Sequence, residues 1–223
     1  MKNEEYLKNY NPAKYDKVSV TVDGLIFTII DNKLKICLVK RDKPPFADML
    51  AIPGTFVKTD ESLEDAMRRV LKDKAGFSDI YFEQLYTWGE VARDPRMRII
   101  SVSYMSTLSE EKLLRVMDRE TIDSQFYNVE DLLDPKMELA FDHKNIIAFA
   151  KKRLADIVEE SDISFEFVSK KFTLPALQRV HEILLGHPLY KANFRKKIAP
   201  KVIETDEQTS GDAFRPSKLY IQK

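Results

Sequence analysis

The chain contains 223 residues, of which 43% are hydrophobic and 32% charged, and 36 Lys and Arg residues balance 36 Asp and Glu residues. These values are ordinary for a globular protein with a real core, and the length allows one large domain or two small ones. No apolar run is long enough to cross a bilayer or act as a signal peptide, which argues against a membrane partner and predicts a cytoplasmic protein. The single cysteine, Cys37, lies in an apolar run and is expected to be a buried core thiol.

The first part of the chain predicts a β-hairpin followed by more extended structure. Residues 18–31 are rich in β-branched and aromatic residues, and residues 31–32 predict a turn. Residues 34–39 predict the second strand of the hairpin, and residues 49–57 form a further short extended stretch.

Residues 62–75 predict a helix. Ser62 and Asp65 form a capping box at its start, and Gly76 is placed to end it. Its apolar residues recur at helical spacing: Leu63, Ala66, Met67, Val70, Leu71 and Ala75. The elements predicted after it are strands at 80–88, 98–105 and 126–129, and helices at 110–119 and 145–158. This order predicts an α/β body that ends near Glu159.

After Phe172 the pattern changes to that of a small helical module. The predicted order is a helix at 174–185, a turn at 186–188, a helix at 191–199, a strand at 202–205, a polar loop at 206–216 and a strand at 218–222. This is the order of a winged helix-turn-helix. We therefore predict domains at 1–159 and 173–223, joined by a linker at 160–172.

The two predicted domains differ in charge. Residues 173–223 hold nine Lys and Arg against five Asp and Glu, and the rest of the chain holds 27 against 31. A basic module on an acidic body is what a nucleic-acid reader needs, although charge alone is weak evidence.

Residues 54–77 read GTFVKTDESLEDAMRRVLKDKAGF. They resemble the Nudix box, G-x5-E-x7-R-E-U-x-E-E-x-G-U, in which U is a bulky aliphatic residue. The remnants of the box are Gly54, Glu61, Arg69, Asp73 and Gly76. Glu61, Arg69 and Gly76 match the pattern in register, whereas Thr55 stands where the first glycine belongs. The resemblance implies a Nudix α/β/α sandwich with a mixed sheet, and the residues before the box resemble the ADP-ribose-pyrophosphatase branch of that family.

Three mismatches with the box bear on function. Val70 stands where the family has a metal-binding glutamate, and Asp73 and Lys74 replace the paired glutamates near the end of the box. Valine cannot coordinate a hard cation, and the ammonium of Lys74 repels one. We therefore predict no catalytic residue, no metal site and no cofactor. The alternative is a Nudix hydrolase with a relocated metal site that cleaves a nucleoside diphosphate derivative such as ADP-ribose with Mg²⁺ or Mn²⁺.

Residues 172–182 and 193–197 resemble the winged helix of the Nudix-related transcriptional regulators, a group that includes regulators of NAD metabolism and of sugar catabolism. The second helix of the module then offers basic and amide side chains for phosphates and base edges. The predicted DNA-binding residues are Lys191, Asn193, Arg195, Lys196 and Lys197 on this helix, and Arg215 and Lys218 in the wing.

If the Nudix-like body keeps a ligand pocket, we expect arginines to bind phosphate or carboxylate groups there. The predicted effector-binding residues are Arg41, Glu90, Arg93, Arg96, Arg98 and His143. The resemblance implies a homodimeric regulator whose body binds ADP-ribose, or a sugar or sugar phosphate, and whose paired winged helices bind a double-stranded DNA operator. A protein-interaction module without DNA binding is a third possibility.

Overall fold

The computed structural model describes residues 3–77, 80–117, 124–209 and 216–223. In these residues a mixed seven-stranded sheet is followed by a small module with two helices and a two-stranded sheet. The strands are β1 (Ser19–Ile30), β2 (Lys33–Lys40), β3 (Leu50–Ala51), β4 (Gly54–Phe56), β5 (Glu83–Trp88), β6 (Ile99–Leu108), β7 (Ser124–Asn128), β8 (Val202–Gln208) and β9 (Lys218–Gln222).

The helices are α1 (Asn3–Asn9), α2 (Leu63–Ala75), α3 (Glu110–Met117), α4 (Val129–Leu133), α5 (His143–Ile157), α6 (Leu174–Leu185) and α7 (Lys191–Ile198). Short 3₁₀ helices lie at Pro12–Lys14, Ile163–Phe167 and Ala199–Lys201. None of the helices in the described parts of the chain has the length and apolar character needed to cross a membrane.

The large sheet has the order β3-β2-β1-β6-β5, with β4 paired to β1 and β7 paired to β2. β1 and β2 form the predicted hairpin, and its turn residues Asp31 and Asn32 both have positive φ, at 52° and 57°. Two consecutive residues of this kind are typical of a type I′ turn, whose twist matches the flanking strands. β1 also runs parallel to β6 along its whole register, which makes the sheet mixed.

Helix α2 confirms the capping prediction. The side chain of Ser62 accepts a hydrogen bond from the backbone N–H of Asp65, and Gly76 ends the helix in the left-handed conformation with φ 70°. The helix packs closely over β1, since a Cβ added at Gly24 would lie 2.8 Å from the side chain of Met67. This close contact fixes the distance between the middle of α2 and the sheet.

Both faces of the sheet are covered, as the predicted sandwich requires. Alternate residues of β1 enter different cores: Val22 and Ile26 pack with α2, whereas Leu25 and Phe27 pack with α5. Cys37 is buried in the α2 core, as predicted. The fold class predicted from the sequence, a Nudix sandwich followed by a winged helix, is confirmed.

The segment predicted as a linker is packed against the rest of the protein. Phe165 and Phe167, in the 3₁₀ helix, are buried, and Phe172 pairs with Tyr220 of β9. Burial of these aromatic side chains fixes the segment against the protein, although its acidic start had predicted a linker. The predicted domain boundaries remain a prediction.

The wing departs from the prediction in one respect. β8 extends to Gln208, so that residues 206–208, predicted as part of a polar loop, belong to a strand. Gln208 pairs with Lys218 of β9, and the register of the pair shifts between Glu204 and Gln208. The strand continues through Asp206 and Glu207 despite their low strand propensity, because strand formation depends on context. The remainder of that loop lies largely outside the described residues.

Candidate effector pocket and DNA-binding surface

A cavity of about 690 Å³ opens at the end of the sheet where β1, β4, the last turn of α2 and the start of α5 meet. Its lining is rich in charged and aromatic side chains. The residues that line it are Thr21, Asp23, Val39, Lys40, Arg41, Asp42, Ala51, Ile52, Gly54, Thr55, Phe56, Asp73, Lys74, Arg93, Asp94, Arg96, Ile99, Phe141 and His143.

The cavity brings together four of the six predicted effector-binding residues, namely Arg41, Arg93, Arg96 and His143. Glu90 and Arg98 do not line it. The guanidinium of Arg98 donates to the backbone carbonyl of Glu90 at 3.0 Å, which closes the loop between β5 and β6. These two residues therefore stabilise a loop next to the cavity.

Arg93 is occupied by carboxylates of the protein itself. Its Nε and Nη2 donate to the two oxygens of Asp142 at 2.9 and 2.7 Å, and Nη2 lies 3.9 Å from Asp23. Only 4% of the Arg93 side chain is exposed. The resulting bidentate pair anchors the start of α5. Arg93 therefore helps to position the residues that form the cavity wall.

Asp23 is a buried carboxyl at the cavity wall. Burial raises its pKa to about 6, although the hydroxyl of Ser101 donates to it and Arg93 lies nearby. A Cβ added at Gly54 would lie 2.1 Å from Asp23 Oδ1. Glycine at position 54 is therefore required by the close approach of this carboxyl.

The guanidinium groups of Arg41 and Arg96 lie over aromatic rings at the cavity. The guanidinium carbon of Arg41 lies 4.9 Å from the centre of the Phe141 ring, and that of Arg96 lies 5.6 Å from it. Arg96 also lies 5.4 Å from the Phe56 ring and pairs with Asp94 at 2.7 Å. Cations stacked on aromatic rings create a surface suited to an anion attached to a planar base.

His143 is held in one neutral form. Its Nδ1 accepts a hydrogen bond from the backbone N–H of Ile52 at 2.9 Å, and burial lowers its pKa to about 3. The ring hydrogen is therefore on Nε2. His143 lines the cavity as a neutral hydrogen-bond donor and does not act as a cation.

Glu61 and Arg69, two residues of the Nudix-box remnant, form a structural ion pair in this chain. Arg69 donates to both oxygens of Glu61, at 3.1 and 2.5 Å, and also to the hydroxyl of Thr55 at 2.9 Å. These bonds lower the pKa of Glu61. The pair fixes the loop between β4 and α2 against the helix.

The donor set does not fit Mg²⁺ or Mn²⁺. Val70 is buried in the apolar core with 1% exposure, and Lys74 lines the cavity beside Asp73. In the parts of the chain that the structure describes, no three Asp, Glu, His or Cys residues come close enough to hold a metal ion. A hard divalent cation needs several oxygen ligands, and the side chains near the end of α2 do not supply them.

Lys74 is one of the cations that line the cavity. Its Nζ donates to the backbone carbonyl of Gly54 at 2.5 Å. Desolvation lowers its pKa, Asp23 opposes that shift, and Arg41 and Arg69 add to it.

The second surface is the outer face of α7. Phe194 and Ile198 are buried against the rest of the winged helix, which leaves the other face of the helix in solvent. The exposed residues on it are Lys191, Asn193, Arg195, Lys196 and Lys197. All five were predicted to bind DNA, and α7 carries them on one short helix.

Two of the predicted DNA-binding residues form ion pairs with carboxylates of the protein. Lys197 Nζ pairs with Glu159 at 2.7 Å, and Lys218 pairs with Glu204 within the wing. Arg215 lies outside the described residues. The charges of Lys197 and Lys218 are thus partly neutralised by the protein.

Sequence reasoning missed several cavity residues. Asp23 could have been found because it is an acidic residue inside an otherwise apolar strand, whereas nothing in the sequence around Phe56 marks it as a cavity residue. Phe141 has a left-handed backbone, φ 55°, and its ring lies beside Arg41 and Arg96. A bulky residue in this conformation is strained, and such strain is often found at functional sites.

Comparison with protein-family models matches residues 21–149 to the NUDIX domain and residues 164–221 to the NrtR DNA-binding winged helix domain. The chain is 31% identical over 220 residues to the ADPR responsive transcriptional repressor NtrR of Acinetobacter baylyi, covering 97% of this chain and 87% of that protein. It is 34% identical over 141 residues to an ADP-ribose pyrophosphatase of Methanocaldococcus jannaschii, covering 63% of this chain and 76% of that enzyme.

Two solved structures are similar to this one. Shewanella oneidensis NrtR complexed with a 27mer DNA has a TM-score of 0.80 and 36% identity, covering 92% of this chain and 93% of that chain. The NUDIX domain of Shewanella oneidensis NrtR complexed with ADP ribose has a TM-score of 0.59 and 35% identity, covering 69% of this chain and 99% of that chain.

Proposed function

The chain belongs to the NUDIX family and carries an NrtR-type DNA-binding winged helix domain, and we propose that it is a transcriptional repressor that binds an operator and responds to ADP-ribose. One observation carries the proposal: an intact cavity lined by cations and aromatic rings lies on the same chain as an exposed basic helix. We place this regulator in the cytoplasm and expect it to act as a homodimer on a palindromic site.

The DNA-binding part of the proposal rests on α7. Lys191, Lys196 and Arg195 can neutralise phosphates or contact bases, and Asn193 can pair with an adenine edge. The similarity to an NrtR solved with DNA covers 92% of this chain and supports DNA binding by this domain.

The effector part rests on the chemistry of the cavity. ADP-ribose has two phosphates and a planar base, and Arg41, Arg96 and Lys74 offer positive charge beside the rings of Phe56 and Phe141. A simple sugar has neither of these groups and would bring no anion to this positive charge. Relatives that respond to ADP-ribose or bind it favour this effector over a sugar or sugar phosphate.

A single helix links the two surfaces. α5 begins at the cavity, where Asp142 is held by Arg93 and His143 by Ile52. Its buried face packs with α6, and Glu159, just beyond its end, pairs with Lys197 on α7. We infer that an effector in the cavity changes the position of α5 and thereby the spacing of the two recognition helices in a dimer, since a ligand regulates only if it favours one state.

The test is a binding titration with the full chain and a fluorescent duplex taken from upstream of its own gene. We expect tight binding whose logarithm falls steeply with salt, and release by ADP-ribose but not by ribose 5-phosphate at equal concentration. A protein-interaction module would bind the duplex without this salt dependence or not at all. Specific binding that ADP-ribose leaves unchanged would contradict the effector assignment.

The rival function is hydrolysis of a nucleoside diphosphate derivative, which the similarity to an ADP-ribose pyrophosphatase supports. The replacement of two ligand positions by Val70 and Lys74 argues against it. Incubation with ADP-ribose and Mg²⁺ or Mn²⁺ distinguishes the two functions. Turnover within about tenfold of a typical enzyme, roughly 10 per second, would establish the hydrolase.

A further inference from the structure

We propose that the ammonium group of Lys74 takes the place of a divalent metal ion in the cavity and binds the diphosphate of the effector directly. The proposal rests on the proposed function, because it assumes that ADP-ribose occupies the cavity. It predicts that effector binding needs no metal ion at all.

The first argument is the position of Lys74. It lies in the last turn of α2, in the place where the Nudix box carries a glutamate, and it lines the cavity beside Asp73. Lys72, two residues earlier on the same helix, is exposed and does not line the cavity. Comparing variants of Lys74 and Lys72 therefore distinguishes the effect of a cation at the cavity from the effect of positive charge elsewhere on α2.

The second argument is the environment of the ammonium group. Lys74 donates to the carbonyl oxygen of Gly54, and the carboxyl of Asp23 lies against Gly54. A carbonyl oxygen is a ligand that suits a hard cation, and here it contacts the Lys74 Nζ, while the carboxyl of Asp23 acts on the ammonium through its charge without contacting it. The ammonium has three donors, so after one is used by Gly54 two remain for an anion.

The third argument is the state of the other cations. Arg93 is fully engaged by Asp142, and Arg96 is paired with Asp94. Arg41 donates to the backbone carbonyls of Pro45 and Lys43, and its guanidinium also stacks on Phe141. Lys74 bonds a neutral carbonyl, so it has more capacity left for phosphate oxygens than the paired arginines.

Calorimetric titration of the full chain with ADP-ribose tests this role, with one series in EDTA and one in Mg²⁺. The wild-type affinity should agree within about twofold between the two series. Lys74→Met should weaken binding by at least tenfold in both, about 1.4 kcal/mol, because it removes charge-assisted hydrogen bonds to the diphosphate. Lys72→Met should bind like the wild type, and Lys74→Arg should bind more tightly than Lys74→Met.

Two further measurements keep the result interpretable. The affinity of Lys74→Met for DNA without effector should equal that of the wild type, which shows that the variant is folded; if it does not fold, Lys74→Gln replaces it in the same comparison. Raising the salt concentration should weaken effector binding more for the wild type than for Lys74→Met, since the lost interaction is electrostatic.

The outcomes separate the two proposals. If the wild type binds ADP-ribose and Lys74→Met binds it equally well, the role of Lys74 is wrong and the proposed function stands. Binding by the wild type only in Mg²⁺ would also refute the role of Lys74. If the wild type does not bind ADP-ribose in either series, the proposed function and this inference are both wrong.

Discussion

The ammonium group of Lys197 lies 2.7 Å from the carboxylate of Glu159. Lys197 belongs to α7, and Glu159 lies two residues beyond the end of α5. The ion pair thus joins the helix that starts at the effector cavity to the helix proposed to contact DNA. Both side chains are about half exposed, at 49% and 48%, so the pair contributes little to stability and acts mainly on orientation.

The pairing predicts that two adjacent lysines of α7 contribute differently to DNA binding. Lys196→Ala should reduce the slope of log affinity against log salt by about one, because it removes a cation available to phosphate. Lys197→Ala should change that slope less, since Glu159 already neutralises its charge. Fluorescence anisotropy at four salt concentrations measures both slopes. Equal slopes for the two variants would contradict the assignment.

Arg195 should be the side chain of α7 that determines sequence specificity. It is exposed, and among the described residues no salt-bridge partner accompanies it. Arg195→Ala should abolish the preference for the operator over a scrambled duplex, since a bidentate contact to a base contributes about 1–3 kcal/mol of discrimination. The thermal unfolding midpoint should stay within a few degrees of the wild type. Operator affinity equal to that of the wild type would refute the role of Arg195.

Arg93 should affect the protein through folding. Arg93→Ala leaves Asp142 and Asp23 without their buried cation, and breaking such a pair costs about 3–5 kcal/mol. Urea unfolding should show a free energy of unfolding lower by roughly that amount. Arg98→Ala is the control, and because Arg98 is only partly buried it should lose less than about 1 kcal/mol. A stable Arg93→Ala variant with weakened effector binding would instead make Arg93 a direct ligand.

Two buried histidines predict lower stability in acid. Burial lowers the pKa of His143 to about 3 and that of His181 to about 4, both below the ordinary value. The unfolded chain then binds more protons than the folded one below about pH 6.5, so the free energy of unfolding falls as the pH falls toward 4. Asp23, with its pKa raised to about 6, acts in the opposite direction between about pH 6 and 4 and offsets part of the loss.

The measurement for this prediction is urea unfolding at several pH values between 7 and 4.5. His143→Gln should flatten the decline, because it removes one of the two groups that take up a proton on unfolding. His187→Gln should leave the decline unchanged, since His187 is exposed. A decline of equal steepness in the wild type and in His143→Gln would show that His143 is protonated in the folded protein.

Local patterns were enough to predict most of the elements and both domains. The turn at Asp31 and Asn32, the capped helix that ends at Gly76, and the helix pair of the winged helix all follow from short-range rules. The replacement of metal ligands by Val70 and Lys74 was also readable, because it concerns which residue types occupy a motif. These properties depend on residues close together in the sequence.

The tertiary structure alone decided what the charged residues do. From sequence, Arg93 and Arg96 looked equivalent, but Arg93 is buried against Asp142, 49 positions away, and Arg96 stacks on Phe56 and Phe141. Likewise Lys197 pairs with Glu159, 38 positions away, while its neighbour Lys196 remains in solvent. A charge contacts either a partner or a ligand according to distance and burial, and both are set by how the chain folds back on itself.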